Sequence, residues 1–432
     1  MGFLALAALL GRAWRWGPIG PVVAPLFVTL ATSETRRRRR VAMALSYFLA
    51  GSSGLPAGAA TFFGPGSELR GFLLWIASAA LLALPWAWAG GGKGILTALL
   101  LDAVPPLGCF GWLSPLAAAG VCYPHTGLLG LGLLLALFTA MATRNRTMTV
   151  GLLAVAVGVN GFVLFMGTPP PPPPRWIGVD THVGPLSGDP LKTVRQRAVW
   201  IVQVRRHTRT ARVVVLPETI AGPWWPGTAA QIRAAVRPGQ TWLVGATAWV
   251  HEQRADAVME VSTGRRGKTP LFISPFPVPV SMWHPWRPNG YLAAWWEPVR
   301  TVHGRRVWTA LCYDQLLPWV WVEGLLQSPQ VVLAVSNDWW AQGTGVSGIQ
   351  RATTWAWARL MGAVVVRAEN RSGHRPRHDA LVHRPHKSET KWSRVALTHR
   401  PQNACLQRSI NSCGAQVASH RQCCFSCFST SP

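Results

Sequence analysis

Acidic residues are scarce in this chain of 432 residues, which holds 16 Asp and Glu against 42 Lys and Arg. The formal net charge of +26 invites comparison with nucleic-acid-binding proteins. Lysine is scarce too, since 37 of the 42 basic residues are Arg, and the positive excess is spread over the whole chain. No zinc-finger, RNP or helix-turn-helix pattern is present. The composition therefore predicts no direct nucleic-acid partner.

Polar stretches are also scarce in the first part of the chain, where apolar segments are joined by short loops. Six segments have a length typical of membrane helices: 16–32, 41–63, 71–89, 95–122, 127–142 and 148–167. The apolar character continues far beyond any signal-peptide cleavage site, which argues against a signal peptide. The sequence predicts a six-helix membrane domain over residues 1–168.

Charges in the loops orient this predicted bundle. Arg36 to Arg40 follow the first segment, Lys93 follows the third, and Arg144 with Arg146 follows the fifth. The positive-inside rule places these loops in the cytoplasm, so the sixth segment emerges on the other side, in the periplasm of a bacterial cell. A polyanion-binding or nuclear-localisation patch is the alternative for the five-arginine run. Its position between two apolar segments favours a cytoplasmic loop.

The remaining chain divides into a linker, a globular domain and a tail. Residues 169–175 contain six consecutive prolines and predict a semi-rigid polyproline II linker. Residues 176–370 alternate strand and helix patterns, which is typical of a layered α/β domain. The predicted strands are 176–180, 211–218, 241–250, 305–312, 331–338 and 363–370, and the predicted helices are 190–206, 317–327 and 346–361.

The segment 371–432 is rich in basic residues, Cys and His and has no sustained apolar period. We interpret it as a disordered tail or one produced by a shifted reading frame. A zinc site at Cys423, Cys424 and Cys427 is the alternative, but no paired C-x-x-C module supports it. The sequence predicts no metal and no cofactor.

Two of the predicted strands end at reactive side chains, Glu218 in VVVLPE and Cys312 in ALCYDQLLP. Catalytic groups gather at carboxyl strand ends in α/β sheets, so the carboxylate could serve as base for a thiol nucleophile. Each residue also has a structural interpretation. A buried Cys is often a small core residue, and Glu218 could cap a helix or form an ion pair. His284 could instead form a protease-like dyad with the thiol, although no other protease signature supports it.

Four motifs in this order resemble the carbon–nitrogen hydrolase (nitrilase) superfamily: VVVLPE, PFPVPVSMW, ALCYDQLLP and the segment 335–370. Together with the apolar segments ahead of them, they are most similar to apolipoprotein N-acyltransferases and, within that group, to the conjugal-transfer TraB family. The resemblance spans residues 1–370. It implies an N-terminal transmembrane bundle followed by an α-β-β-α sandwich. It also implies transfer of an acyl group from phospholipid, through a Cys thioester, to an amine.

The same resemblance implies roles for individual residues. Glu218 would take the thiol proton, and Cys312 would attack the acyl carbonyl. The backbone N–H of Tyr313, which follows the Cys, would help a Lys to stabilise the oxyanion. Asp314 would orient the site or cap the helix that follows, and Asn337 would shape the loop beside the thiol.

The expected Lys is missing from its usual position, which Ser274 occupies, and Met282 occupies a position that is usually acidic. The nearest ammonium group belongs to Lys268, in TGRRGKTP. A loop could deliver Lys268 to the thiol, or the residue could sit exposed in a hairpin turn. Without this cation, a developing oxyanion loses a charge-assisted donor.

Two functional predictions follow. The first is an inner-membrane, multi-pass conjugal-transfer protein with a periplasmic acyltransferase or amide-hydrolase site, whose partners are membrane lipids and lipoproteins or conjugation-machinery proteins. The alternative is a non-catalytic, membrane-anchored assembly factor that kept the fold and lost the Lys. A transporter is weaker, because the apolar segments hold few polar groups beyond Asp102. Tryptophan pairs such as Trp339 and Trp340 fit either membrane-interface loops or core packing.

Overall fold

The computed structural model describes residues 2–166, 173–264, 267–287, 289–372 and, for the backbone alone, 395–397. Met1–Leu397 form one compact unit. The predicted boundary near residue 168 therefore separates a helical part from a sheet part that pack together. Most of the predicted proline linker, and nearly all of the predicted tail with its three candidate zinc-binding cysteines, lie outside the described residues.

The described residues of the helical part form nine α-helices. They are α1 Gly2–Arg12, α2 Ile19–Ser33, α3 Arg37–Gly51, α4 Leu55–Phe63, α5 Glu68–Ala83, α6 Gly92–Ala103, α7 Ala119–Cys122, α8 Leu128–Ala142 and α9 Arg146–Phe165. Six of these, α2, α3, α5, α6, α8 and α9, correspond to the six predicted segments. Two predicted segments are interrupted. The segment 41–63 breaks after Gly51, and the segment 95–122 breaks at Pro105 and Pro106, where proline ends the helix.

Two helices of this part are long and apolar enough to cross a membrane: α5 with its 3₁₀ extension, Glu68–Trp88, and α9. On α9, Val157, Leu164 and Phe165 are 74%, 73% and 87% exposed. Apolar side chains at such exposure would be stabilised by a lipid environment. Thus two of the six corresponding helices have the length that a membrane span needs. The other four are shorter than a bilayer core requires, so six spans are not confirmed.

The first two basic loops lie at one end of the helical part. Arg40 donates hydrogen bonds to the carbonyl oxygens of Glu34, at 2.9 Å, and Ala87, at 2.6 Å, which joins the α2–α3 loop to the loop before α6. The sheet part contacts other segments, as at Gly120 of α7, which packs against the backbone of Ala356. The two basic loops and the sheet part thus contact different segments of the helical part.

The sheet part contains four further helices and ten strands in its described residues. The helices are α10 Pro190–His207, α11 Pro226–Ala235, α12 Pro318–Gln327 and α13 Val346–Met361. The strands are β1 Trp176–Thr181, β2 Val213–Val215, β3 Thr241–Val250, β4 Gln253–Ser262, β5 Pro270–Ile273, β6 Arg300–Val302, β7 Arg305–Leu311, β8 Val331–Asn337, β9 Val364–Asn370 and β10 Val395–Leu397. Their order is β5-β4-β3-β2-β1-β9-β8-β7-β6, with β10 paired to β1.

The sheet folds into two facing halves with helices outside each. Side chains of both halves share one buried cluster, which includes Val215 and Val258 from one half and Val307 and Leu333 from the other. The opposite face of β2 and β3 packs against α10 and α11, and the opposite face of β7 and β8 packs against α12, α13 and the helical part. This is the predicted α-β-β-α layering.

The parallel strands β1, β2, β7, β8 and β9 bring their carboxyl ends to one edge of the sheet. Glu218 follows β2 and Cys312 follows β7 directly, so this edge assembles the site. The sequence patterns predicted these strands and α10, α12 and α13 to within a few residues. They missed β4, β5, β6 and α11, and also β10, which lies in the segment interpreted as a disordered or frame-shifted tail.

Candidate active site

Cys312 occupies a strained turn at the end of β7. Its φ of +39° lies in the left-handed region, which is unusual for a residue with a side chain. A 3₁₀ turn over Cys312–Leu316 begins at this residue and leads into α12. The strand end and the turn together hold the thiol at a fixed place on the sheet edge, where 6% of the residue is exposed.

Asp314 stabilises this turn from within. Its carboxylate accepts the Leu311 N–H at 3.2 Å, the Ser274 hydroxyl at 2.9 Å and the Phe276 N–H at 3.0 Å. Asp314 is fully buried, and burial raises its pKa well above the ordinary value. Asp314 therefore fixes the nucleophile turn and ties it to the segment after β5, and it is a positioning residue.

Glu218 is the direct partner of the thiol. The two side chains are close enough for each to shift the pKa of the other, and the backbone N–H of Asn337 donates to Glu218 Oε2 at 2.8 Å. The backbone of β3 approaches closely here: a Cβ on Gly245 would lie 2.1 Å from the Pro217 carbonyl oxygen, so glycine is required. The structure thus brings the predicted base and nucleophile together.

Asn337 orders three strand ends around Glu218. Its side-chain amide donates to Thr219 Oγ1 at 2.7 Å, and its Oδ1 accepts from Asn370 Nδ2 at 2.7 Å. Asn370 in turn accepts the Thr181 hydroxyl at 2.9 Å. These bonds join the ends of β1, β8 and β9 beside Glu218.

A second carboxyl group, Asp256 on β4, lies next to Glu218, and the two buried groups shift each other's pKa. Two adjacent buried carboxyl groups are disfavoured as a pair of negative charges, so one of them keeps its proton. Burial raises the pKa of Glu218 to about 7, and the charge of nearby Asp338 contributes to the rise. Burial and the Glu218 charge hold the pKa of Asp256 well above its ordinary value.

The thiol itself is held protonated. Burial, together with the charges of Glu218 and Asp338, raises the pKa of Cys312 well above its usual value. A free thiolate is therefore disfavoured near neutral pH. The arrangement suits a thiol that loses its proton to Glu218 while it attacks, rather than a preformed thiolate.

Lys268 does not join this group. It is exposed, just before β5, and the neighbouring Gly267 packs against Glu260 on β4. Glu260 is four residues from Asp256, which corresponds to about 14 Å along an antiparallel strand. The family's Lys position holds Ser274, whose hydroxyl donates to Asp314. Of the two predicted placements for Lys268, the structure shows the exposed one before β5. Within the described residues, no ammonium or guanidinium group contacts the thiol.

Gln350 on α13 takes a place beside the thiol that the sequence reasoning missed. Its Nε2 donates to the Cys312 carbonyl oxygen at 3.1 Å and lies 3.8 Å from Sγ. Asp256 was missed too. The signal that could have found Gln350 and Asp256 is their position. Each is a polar residue on the buried face of its element, and buried polar groups need partners.

An apolar cavity of about 100 Å³ ends at the thiol. Residues of the sheet part, such as Val278, Leu316 and Ile349, form one wall, and residues of the helical part, such as Leu55 and Leu113, form the other. Tyr313 joins the two parts, because its hydroxyl donates to the Cys109 carbonyl oxygen at 2.6 Å. The thiol thus faces a space suited to an aliphatic group rather than to a polar substrate.

His284 has its own surroundings in the aromatic loop 275–296. Its ring lies edge-on to Trp286, and its Nδ1 is buried with no hydrogen-bond partner among the described residues. Glu218, and not His284, is among the side chains that shift the pKa of the thiol, so the structure favours the Cys–Glu pair over the Cys–His dyad. The described residues contain no cluster of three or more His, Cys, Asp or Glu that could hold a metal ion.

No family model matches the chain. Curated relatives include the conjugal transfer protein TraB of Agrobacterium fabrum, 33% identical over 374 residues that cover 80% of this chain and 87% of the relative. They also include a probable conjugal transfer protein TraB of Sinorhizobium fredii, 33% identical over 352 residues that cover 77% of this chain and 89% of the relative.

Solved structures with partial similarity include a nitrilase-superfamily amidase from a Nesterenkonia species. It is 16% identical, with a TM-score of 0.34, over 46% of this chain and 76% of the amidase. A glutamine-dependent NAD⁺ synthetase from Acinetobacter baumannii is 13% identical, with a TM-score of 0.25, over 36% of this chain and 31% of the synthetase.

Proposed function

The chain belongs to the conjugal transfer TraB family, and on that premise we propose that it is a membrane-bound acyltransferase that uses Cys312 as its nucleophile. The observation that carries the proposal is the juxtaposition of the Cys312 thiol and the Glu218 carboxyl group at the end of an apolar cavity. Phospholipid is the proposed acyl donor, and a terminal amine of a lipoprotein or of a conjugation-machinery protein is the proposed acceptor. Nucleic acid takes no direct part.

In the proposed first step, ionised Glu218 takes the thiol proton while Sγ bonds to the ester carbonyl carbon of the donor. The carbonyl π electrons move to oxygen and form a tetrahedral oxyanion. When the intermediate collapses, the C–O bond to the lysolipid breaks, and Glu218 returns the proton to the departing alkoxide oxygen. A thioester on Cys312 and a neutral alcohol result.

In the second step, the acceptor amine attacks the thioester carbonyl and Glu218 takes a proton from the amine nitrogen. Collapse breaks the C–S bond, and the thiolate recovers that proton. An amide forms, and Cys312 returns to its resting thiol. Water in place of the amine would give hydrolysis.

The oxyanion in both steps requires hydrogen-bond donors. The backbone N–H of Tyr313 follows the nucleophile directly, and Gln350 Nε2 already lies 3.8 Å from Sγ. Both donors are uncharged, whereas the family resemblance implies a Lys. Because neutral donors stabilise an oxyanion less than a charged one, we expect a slow reaction.

The location proposed for this chemistry is the bacterial inner membrane, with the sheet part in the periplasm. The two candidate membrane helices and the separation of the sheet part from the basic loops support it. The apolar cavity, half of which is formed by the helical part, gives an acyl chain a place beside the thiol.

The test is the intact mass of full-length protein after incubation with phospholipid. We expect a mass gain of one fatty-acyl group that neutral hydroxylamine removes. Cys312→Ser should show no hydroxylamine-sensitive gain, and Cys122→Ser, a half-buried thiol elsewhere, should behave as wild type. Folded wild type that never gains an acyl group under any donor tested would contradict the proposal.

The second candidate function is a non-catalytic assembly factor of the conjugation machinery. Ser274 at the Lys position, and a thiol surrounded by carboxyl groups, favour this candidate. Conjugation frequency distinguishes the two. If transfer with Cys312→Ser equals wild type while deletion of the gene abolishes transfer, the assembly role is supported and the acyltransferase role is not.

A further inference from the structure

A second cavity, of about 610 Å³, lies beside the N-terminal turn of α13, on a different face of that helix from the thiol cavity. Residues of the helical part and of the sheet part line this cavity. Its titratable side chains are Arg12, Arg15, His182, Asp338, Arg351 and Arg371. The site thus combines four guanidinium groups and one buried carboxylate, and the proposed acyl-transfer steps assign no bond and no proton transfer to any of them.

Two of these arginines are neutralised by carboxylates of the sheet part. Arg351 and Arg371 pair with Glu369 at 3.3 Å and 2.6 Å, and Arg371 also lies 3.5 Å from Asp180. Their positive charge is therefore committed to internal ion pairs.

Arg12 and Arg15, from the helical part, carry the excess positive charge. Arg15 donates to Ser53 Oγ at 3.3 Å and to the Gly343 carbonyl oxygen at 3.0 Å, both uncharged acceptors. Within the described part of the chain neither arginine has a carboxylate partner. The cavity therefore offers two guanidinium groups to an anion. Guanidinium groups recognise phosphate and carboxylate through paired N–H donors.

Asp338 supplies an independent observation. It is 3% exposed and lines the cavity. One carboxylate oxygen accepts from Ser336 Oγ at 3.1 Å. The other, Oδ1, has no hydrogen-bond partner among the described residues, and Ser347 lies nearby but outside hydrogen-bond geometry. Because buried polar atoms are rarely left unpaired, this oxygen calls for a donor from a bound molecule.

We propose that this cavity binds a phosphate ester that carries an ammonium or hydroxyl group next to its phosphate. Arg12 and Arg15 hold the phosphate, and Asp338 Oδ1 accepts a hydrogen bond from the neighbouring donor group. The N-cap residue of α13 is Gly345, which offers no side-chain cap. The first turn of this helix therefore adds a favourable partial positive charge.

The position of the cavity favours a lipid headgroup over a soluble phosphate ester. Arg12 is the last residue of α1, and on that helix Phe3 and Leu9 are 63% and 59% exposed. An apolar outer face that ends in a basic residue is the pattern of a helix at a lipid interface. The inference goes beyond the acyltransferase proposal, because binding needs neither Cys312 nor Glu218.

The test is binding of lipids to the full chain by native mass spectrometry, with phosphatidylethanolamine, phosphatidylcholine and diacylglycerol of identical acyl chains. Phosphatidylcholine keeps the phosphate but lacks the N–H donor, and diacylglycerol lacks the phosphate. We expect phosphatidylethanolamine to bind about tenfold more tightly than phosphatidylcholine, and diacylglycerol not to compete. Titration with O-phosphoethanolamine and with inorganic phosphate measures how tightly soluble phosphate compounds bind to the same cavity.

The variants assign the effect to residues. Arg12→Gln should weaken phosphatidylethanolamine binding about tenfold, because one charge-assisted contact is lost. Arg38→Gln, an exposed arginine at the start of α3, is the matched control and should bind as wild type. Asp338→Asn should remove the preference for phosphatidylethanolamine over phosphatidylcholine. Cys312→Ser should bind as wild type, which separates this inference from the acyl-transfer chemistry.

Two outcomes would overturn the inference: binding unchanged in both Arg12→Gln and Arg15→Gln, or no binding of any phosphate-bearing probe to folded protein. Binding of O-phosphoethanolamine as tight as that of the lipid would support the site and identify a soluble phosphate ester as its ligand. Measuring two single variants keeps the test decisive if Arg15→Gln unfolds, since Arg15 also packs against Gly345 and Gly348.

Discussion

Two buried glutamates at carboxyl strand ends of the same sheet have opposite surroundings. Glu369, at the end of β9, contacts Arg351, Arg367 and Arg371 at 2.6–3.3 Å. Burial acts to raise its pKa, but the three arginines outweigh burial and hold the pKa below its ordinary value. Glu218, at the end of β2, has carboxyl and thiol neighbours, and its pKa rises to about 7.

The difference shows how this chain uses its positive charge. Arginines are abundant, but those near the sheet edge pair with Glu369 and line the basic cavity, while no Lys or Arg of the described residues contacts the thiol. A carboxylate with three guanidinium partners cannot accept a proton near neutral pH. A carboxyl group in a cation-free, buried cluster exchanges its proton in that range, as a general base must. Glu369 is therefore structural and Glu218 is suited to proton transfer.

The largest effect that we predict is from Glu218→Gln. The amide cannot take the thiol proton, so the rate of acyl-adduct formation on Cys312 should fall by about 10²- to 10⁴-fold. Rates come from intact mass against time in full-length protein. Glu260→Gln, a β4 carboxyl group on the Lys268 side of the strand, is the control and should keep the wild-type rate. A Glu218→Gln rate within threefold of wild type would contradict the role of Glu218 as base.

The second prediction concerns another buried carboxyl pair, Glu297 and Glu323, in which Arg300 only partly offsets the effect of burial on Glu297. The Glu297 N–H donates to Glu323, and burial raises the pKa of Glu297 to about 8 and that of Glu323 to about 7. A raised carboxyl pKa means that the folded state binds more protons than the unfolded state above pH 4.5. Stability should therefore fall as pH rises from about 4.5 through 7–8.

Glu323→Gln keeps the acceptor oxygen and removes the titration. Between pH 5 and pH 8.5, the free energy of unfolding of the wild type should fall by about 3 kcal/mol more than that of Glu323→Gln. Thermal and denaturant unfolding in detergent at several pH values measures this difference. Parallel pH dependences in the two proteins would show that Glu323 does not titrate as described.

The third prediction tests the ion-paired side of the comparison. Glu369→Gln leaves three guanidinium groups around a neutral amide and should destabilise the protein by about 2 kcal/mol. The loss is moderate because Arg351 and Arg371 are 38% and 39% exposed and can reach water. Asp189→Asn, at an exposed helix cap, is a control with a smaller expected loss. Unchanged denaturant midpoints for Glu369→Gln would contradict the structural role of Glu369.

The smallest effect is expected from Asp256→Ala. The carboxyl group of Asp256 lowers the pKa of Glu218, and the substitution removes it. The pKa of Glu218 should therefore rise, and the pH at which Cys312 reacts at half its maximal rate should move up by about one unit. Alkylation of Cys312, quantified by peptide mass spectrometry from pH 5 to 9, measures the shift. A downward shift, or none, would show that Asp256 does not stabilise the ionised form of Glu218.

The sequence predicted what is local and left out what depends on distant contacts. Val213–Val215 and Arg305–Leu311 are apolar runs, so their strands and the reactive residues that follow could be read from the chain. Asp256 reaches Glu218 because β3 and β4 pair in register along ten residues, which no local pattern shows. The contact between Arg15 and Gly343 spans 328 residues. Lys268 was a candidate only through its spacing from the motif, and the structure places it on the exposed approach to β5.

The pH dependence of Cys312 alkylation in the wild-type protein tests the central claim most directly, because it reports the proton shared among the thiol and its carboxyl neighbours. The account predicts little reaction at pH 5.5, a rise centred near pH 7 as Glu218 ionises, and loss of that rise in Glu218→Gln. A Cys312 that reacts at its maximal rate already at pH 5.5 would be a preformed thiolate. That result would contradict a cation-free site in which Glu218 is the base.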